Sequence, residues 1–317
     1  MFLREMKRAA AAATLAMVAA SCDLAEVTTE PGDDVVVVEA VLRTDFPWQQ
    51  VLLHRAIQGR FAGPVPGATV VVTGPDGAEH RLVERTSDCF RVDPAYARSD
   101  SLRVDGSCYT SGGTDTSWVR PGATYDLRVE TPRGEVIRGR THVPGDFVPS
   151  IPMSSSVGRF RTCSLAPEST LDVVWTRSPG AASYVGDLRV LGLRNAFRDS
   201  GFDVPEPLEL RGLSVSETDT TLVLPTEFGL FERLELDTEL LAAISHGFPE
   251  GVAADFILAA VDLNWVNSVR GGNFNPSGQI RISTVVGDGV GVFGSMTVKR
   301  TFIFVQQQSG VPRCPGA

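Results

Sequence analysis

The chain is poor in the residues that make metal and nucleophile chemistry. Its four histidines, His54, His80, His142 and His246, stand alone. There is no H-x-x-x-H, H-E-x-x-H or C-x-x-C spacing, so the usual zinc ligand sets are missing. No G-x-S-x-G occurs, which removes the nucleophile elbow of the α/β-hydrolases. Asp33-Asp34 and Asp288 do not build the D-x-D-x-D-G ladder of an EF-hand loop. Positive charge is in deficit: 29 Lys and Arg face 38 Asp and Glu, a formal net charge of -9. An acidic body opposes a nucleic-acid backbone, and equally a peripheral electrostatic grip on anionic lipid. The abundant carboxylates allow any pair to be nominated for glycoside hydrolysis, so their number discriminates nothing. Beyond the N-terminus no stretch approaches 18 consecutive apolar residues, the length read as a membrane-spanning helix.

The N-terminus does carry a signal. Arg4, Lys7 and Arg8 precede an uncharged stretch of 12 residues, from Ala9 to Ala20. That is too short to span a bilayer and suits the apolar core of a signal peptide. Ala19-Ala20-Ser21 then precede Cys22, which resembles a bacterial lipobox with Ala19 where Leu is usual. The expectation is cleavage before Cys22 and lipidation of its thiol, with residues 1–21 as signal peptide. The competing reading is an ordinary secretory peptide that leaves Cys22 unmodified. Acyl chains bury many methylenes at about 0.8 kcal/mol each, enough for durable anchoring. Removing Arg4, Lys7, Arg8 and Glu5 takes away a net +2 and leaves the remainder near -11.

Cysteine number agrees with lipidation. There are five, Cys22, Cys89, Cys108, Cys163 and Cys314. An odd cysteine in an exported chain needs an explanation, and lipid on Cys22 leaves four to pair. Local pairing would join Cys89 to Cys108 and Cys163 to Cys314. Three connectivities are open, and the sequence does not choose among them.

The 31 glycines and 20 prolines are spread between short β-branched runs. That spacing favours an all-β fold. Residues 22–34 form a short acidic tether. Residues 35–145 read as an Ig-like or transthyretin-like sandwich, with strands at Val35–Leu42, Gln50–Ile57, Ala68–Gly74, Glu79–Thr86, Cys89–Asp93, Ser101–Thr110, Thr124–Pro132 and Glu135–Val143. Pro144, Pro149 and Pro152 punctuate a linker. Residues 146–317 read as a second β-rich body, fibronectin-like or irregular, with strands at Leu171–Trp175, Tyr184–Leu191, Ala254–Val266, Gln279–Val286 and Met296–Gln306. One helix is expected over Asp237–His246, with Gly247 as stop.

Three motifs carry a family likeness. Val35-Val36-Val37-Val38-Glu39-Ala40 follows the tether. Pro66-Gly67-Ala68-Thr69-Val70-Val71-Val72 and Pro121-Gly122-Ala123-Thr124-Tyr125-Asp126-Leu127 follow in order. Gly287-Asp288-Gly289-Val290-Gly291-Val292-Phe293-Gly294 lies near the end. In this order they resemble the lipoprotein family called domain of unknown function 4249, although Ala40 replaces its usual Gly. The resemblance implies a surface or outer-membrane lipoprotein. It also implies an accessory role beside TonB-dependent uptake receptors, and it supplies no catalytic residues.

Gly289, Gly291 and Gly294 formally match G-x-G-x-x-G, but a dinucleotide site needs a preceding strand, a following helix and room for a βαβ unit. The expectation is instead a structural glycine turn or bulge at Gly287, Gly289, Gly291 and Gly294, beside a packed Phe293. Trp48 and Trp118 fall in loops, where tryptophan either pins the loop or stacks on a sugar or a protein partner. Trp175 and Trp265 fall in strand-like runs and are expected in the core. No cofactor and no metal are expected. The sequence is best read as a non-enzymatic accessory of an outer-membrane receptor, binding protein or a small nutrient. A surface adhesin or carbohydrate-binding module is the alternative, and an extracellular hydrolase with an unrecognised site the third.

Overall fold

A computed structural model describes residues 34–57, 60–85, 106–112, 117–155, 161–214, 216–228, 238–270, 282–306 and 310–315. The expected signal peptide, Cys22, the tether up to Asp33, and Cys89 lie outside these residues. Residues 34–317 form one compact unit. The strands are β1 (Asp34–Arg43), β2 (Gln50–Ile57), β3 (Arg60–Pro64), β4 (Thr69–Thr73), β5 (Glu79–Arg85), β6 (Ser107–Thr110), β7 (Thr124–Glu130), β8 (Val136–His142), β9 (Thr162–Leu165) and β10 (Leu171–Val174). There follow β11 (Ser183–Leu191), β12 (Leu208–Leu213), β13 (Thr221–Leu224), β14 (Ala253–Val261), β15 (Val285–Gly287) and β16 (Gly289–Val305). Short helices are α1 (Leu193–Ala196), α2 (Thr238–Ile244) and α3 (Leu263–Arg270). The fold is all-β, as expected, but carries two helical segments beyond the one foreseen.

Twelve strands lie on one sheet path, β12-β11-β14-β16-β1-β2-β6-β5-β4-β7-β8-β15, and β3 on β2 and β9 on β16 bring the sheet to fourteen. β5 turns the corner: its first half pairs with β4 and its last three residues with β6. The path thereby curls back on itself. β15 at its end precedes β16 in sequence by a single residue, and Thr284 N–H donates to Gly291 O at 2.9 Å. Val36, Val38, Leu53, Val70, Val72, Tyr125, Leu127, Ile137 and Phe293 fill the space enclosed. β1 shows why these residues make a strand. Its run of β-branched residues is apolar throughout, yet Val36, Val38, Ala40 and Leu42 point inward while their neighbours are half-buried.

A second core lies between the β11–β14–β16 end of the sheet and the separate two-stranded β10–β13 sheet. Trp175, Tyr184, Leu188, Leu222, Phe256, Phe248 and Ile303 belong to it. The two bodies expected from the sequence are therefore not divided by a free linker. Phe147 and Ile151, in the proline-punctuated segment, are each 2% exposed, and Ser150 N–H donates to Val174 O at 2.7 Å.

The 17-residue β16 joins the two cores. Residues 289–296 pair in parallel with β1, and residues 296–304 pair antiparallel with β14. The glycine segment is thus mostly strand, a correction to the expected turn: only Asp288, between β15 and β16, bends. Glycine is required for the approach. A Cβ on Gly291 (φ +136°) would lie 2.0 Å from Val38 O, and one on Gly287 (φ +108°) 2.2 Å from Val136 O. Gly289 faces Ile137 and Gly294 faces the start of α3, while Phe293 between them is fully buried, as expected. Full burial of such a ring contributes about 1.5–3 kcal/mol.

Two boundaries also change. The run expected as a strand over Ala254–Val266 stops at Val261, and Trp265 lies on α3, half-buried. Asp262 causes the break: its Oδ1 accepts Trp265 N–H at 2.8 Å, an N-cap. Its Oδ2 accepts Thr141 Oγ1–H at 2.5 Å, and Thr141 also lies 2.7 Å from Ser295 Oγ. Burial pushes the Asp262 carboxyl above its ordinary value, against these hydrogen bonds.

Candidate functional site

β1 runs from Asp34, where the chain enters the body, to Arg43, about 30 Å away at roughly 3.3 Å per residue. Loops gather at the Arg43 end. Gln49, 2% exposed, is their hub. Its main-chain N–H donates to Ser111 Oγ at 2.8 Å, its Nε2 donates to the carbonyls of Arg43 (2.9 Å) and Phe46 (3.0 Å), and its Oε1 accepts Arg43 N–H at 2.8 Å. Ser117 Oγ donates to Arg43 O at 3.1 Å, and Trp118 Nε1 donates to Ser111 Oγ at 3.3 Å. The β1–β2 loop with Trp48 and the β6–β7 loop with Trp118 are thereby knitted into one surface.

Trp118 stacks face to face on His80, with centroids 3.9 Å apart and planes at 8°, and lies 5.6 Å from Tyr125. Such pairs contribute about 0.5–1.5 kcal/mol beyond burial. Tyr125 OH accepts Arg120 N–H at 2.9 Å and donates to Trp118 O at 3.0 Å, holding the loop as a sandwich tyrosine corner does. Burial lowers the His80 pKa, against the charge of Asp76, which favours the neutral form of the ring against Trp118. Trp48 is half-buried and lies 5.5 Å from Phe46. The Arg43 guanidinium sits 4.3 Å above the Phe46 ring and grips Asp45 through Nε (3.0 Å) and NH2 (2.8 Å). Both nominated tryptophans thus sit on one built surface. Trp118 has one ring face taken by His80 and serves first to pin its loop.

The other expected residues are elsewhere. Cys163 joins Cys314 across 151 positions, which selects one of the open connectivities for that pair. Cys108 is disulfide-bonded and buried. Trp175 is in the second core, 5.1 Å from Tyr184. His54 faces Glu39 at 3.3 Å, and His142 Nδ1 lies 3.0 Å from Thr124 Oγ1. A cleft of about 290 Å³ opens between α2 and the turn after β13, lined by Pro225, Phe228, Leu241 and Ile244. Two of its hydroxyls are used internally: Thr226 donates to Ser245 O and Ser245 to Ala242 O. Among the described residues no three His, Cys, Asp or Glu side chains group as a metal site. The Gln49–Ser111–Ser117 hub was not foreseen; its members are 62 and 68 positions apart, and polar residues in loops give no sequence signal of partnership.

No family model matches the chain, and no curated protein matches it. Some solved structures show a remote similarity to it. A Salmonella alpha-2-macroglobulin mutant is 14% identical over 90% of this chain, with TM-score 0.24; the chain spans 16% of its length. Fibronectin(III)-like modules of Clostridium thermocellum CbhA are 11% identical over 86% of this chain and 94% of theirs, with TM-score 0.20. A Legionella pneumophila protein of the DUF4785 family is 12% identical over 70% of this chain and 51% of its own, with TM-score 0.21. Likenesses this remote carry no activity across.

Proposed function

We propose that this chain is an exported lipoprotein, carried by acyl chains on Cys22, that acts as a non-enzymatic accessory of an outer-membrane uptake receptor of the TonB-dependent type. One observation carries the reading. The strand that receives the tether at Asp34 delivers its other end, about 30 Å on, into the knitted Trp48–Trp118 surface. Anchoring at one end thus presents the loops at the other. The odd cysteine, the lipobox-like run before Cys22 and the likeness to the 4249 family support the same view. Mass spectrometry of the mature N-terminus tests the anchor, with diacylated Cys22 expected; an unmodified Cys22 or an uncleaved chain overturns it. Affinity capture from detergent-solubilised envelopes tests the partner. Failure to recover an outer-membrane receptor, while other receptor complexes survive, counts against the accessory role.

Glycan binding is the second reading, favoured by the part-exposed Trp48 beside Phe46 and the Arg43–Asp45 pair. A glycan array supports it if binding is lost in Trp48→Ala; an array with no bound glycan dismisses it.

A further inference from the structure

The N-terminal strand is held in a way that bears on pulling. β1 is interior to the sheet. It pairs in parallel with β16 from Val36–Gly289 to Arg43–Met296, and antiparallel with β2 from Asp34–Ile57 to Ala40–Val51. Its first residue is clasped. Asp34 Oδ2 lies 2.9 Å from Arg133 NH1 and 3.2 Å from Arg55 NH1, and Arg55 NH2 bonds both oxygens of Glu135 at 2.8 Å. Arg55 is only 8% exposed, so these pairs are partly sheltered from water. β16 is itself fixed along its second half by β14 and β9, and Cys314 beyond it is bonded to Cys163 in β9.

We propose that β1 is a mechanical clamp, built so that tension on the N-terminal tether is carried as shear. Ladder hydrogen bonds lie across the strands. A pull along β1 therefore loads both ladders together, and all must fail at once. A pull across the sheet opens them one pair at a time. The parallel pairing decides the outcome. β1 and β16 start at the same end, so a load between the tether and the C-terminus drags them past each other lengthwise. The clasp at Asp34 blocks the alternative, fraying from the first residue. The biological use of the clamp rests on the anchoring proposed above, but its mechanics do not. A result against lipid on Cys22 leaves the clamp standing, and a weak clamp leaves the lipid standing.

Single-molecule pulling of the full chain tests this. One geometry uses a covalent handle in the tether at Thr29 and another after Ala317. The second uses the Thr29 handle with one in the exposed turn at Gly134, beside Asp34, so that the load runs across the sheet. The expected result is an unfolding force several times higher in the first geometry. With the Cys163–Cys314 bond intact the first rupture releases chain from the Asp34 side only, and reductant lengthens it. Equal forces in the two geometries overturn the proposal, as does a first rupture that leaves β1 in place. Val37→Pro, which deletes a ladder donor at a half-buried position, is expected to lower the force mainly in the first geometry. If that variant does not fold, the comparison of geometries in the unaltered chain decides alone.

Discussion

Gly291→Ala tests the close approach of β16 to β1 directly. Gly291 has φ +136°, a conformation that L side chains rarely adopt, and an added Cβ would stand 2.0 Å from Val38 O and 2.7 Å from Val38 N. Val38 is fully buried in the middle of β1, so it has no room to withdraw without breaking the parallel ladder. Two costs combine. Holding alanine in that backbone region costs about 1–3 kcal/mol. Forcing a methyl into occupied space costs about 1–3 kcal/mol more. The sum is a large part of the about 5–15 kcal/mol that stabilises a typical domain. Gly77→Ala is the control, because φ is +76° there but nothing lies within 4 Å of the new Cβ. Only the backbone cost of about 1–2 kcal/mol applies to it. Urea unfolding followed by tryptophan fluorescence gives both values. Gly291→Ala is expected to be the worse by about 1–3 kcal/mol, the contact cost. Agreement within about 0.5 kcal/mol, the scatter of neutral surface changes, would refute the reasoning. If Gly291→Ala does not fold, Gly289→Ala serves: its Cβ would meet Val36 O at 2.7 Å without a left-handed backbone.

Breaking the buried pair in the sheet, Arg300 NH2 to Asp255 Oδ2 at 2.5 Å, by Arg300→Met is expected to cost about 3–5 kcal/mol in the same assay, because Asp255 is only 2% exposed. Replacing Cys163 and Cys314 together by Ser frees a 151-position loop and is expected to cost about 5 kcal/mol in the chain-entropy account. Asp262 has its pKa raised by burial, so its contribution is present below the ordinary 3.8 and is lost as pH rises through the higher folded value. Stability measured from pH 3 upward, a range of about four units across that shift, should fall less in Asp262→Asn than in the unaltered chain. Glu135 behaves in the opposite sense: burial raises its pKa, but hydrogen bonds from Thr131 and Arg55 outweigh this and bring it below 4.5. Its contribution is present above 4.5 and is lost as pH falls through the lowered value, so Arg55→Ala should flatten the acid limb of the stability curve.

The strands of the first core were legible because β-branched runs are strong local signals. Gln50–Ile57 was read with its observed bounds, and Val35–Leu42 within a residue at each end. The helix expected over Asp237–His246 contains α2. Elsewhere local preference misled. Glycine is a poor strand former, so the first seven residues of β16 read as a turn, although tertiary contact demands glycine there. The apolar run Ala254–Val266 hid the start of α3; Asp262, three residues before Trp265, was the available cap signal. β3, β9, β12 and β13 lack a β-branched run strong enough to be read as strands. In the candidate site both tryptophans were visible as loop residues. What holds them was not, because Trp118 rests on His80, 38 positions away, and on a serine hydroxyl of the kind that loops commonly carry.

The long β16 also fixes when folding can finish. Its first residue pairs with Val36, about 250 positions earlier. Phe293 completes one core, and Ile303, Val305 and Cys314 complete the other. A nascent chain that has emerged only as far as α3 lacks the strand that closes both cores, and contacts this distant in sequence form slowly. Neither core is therefore complete until β16 has been made. A topology of this kind makes both halves wait on the same late strand.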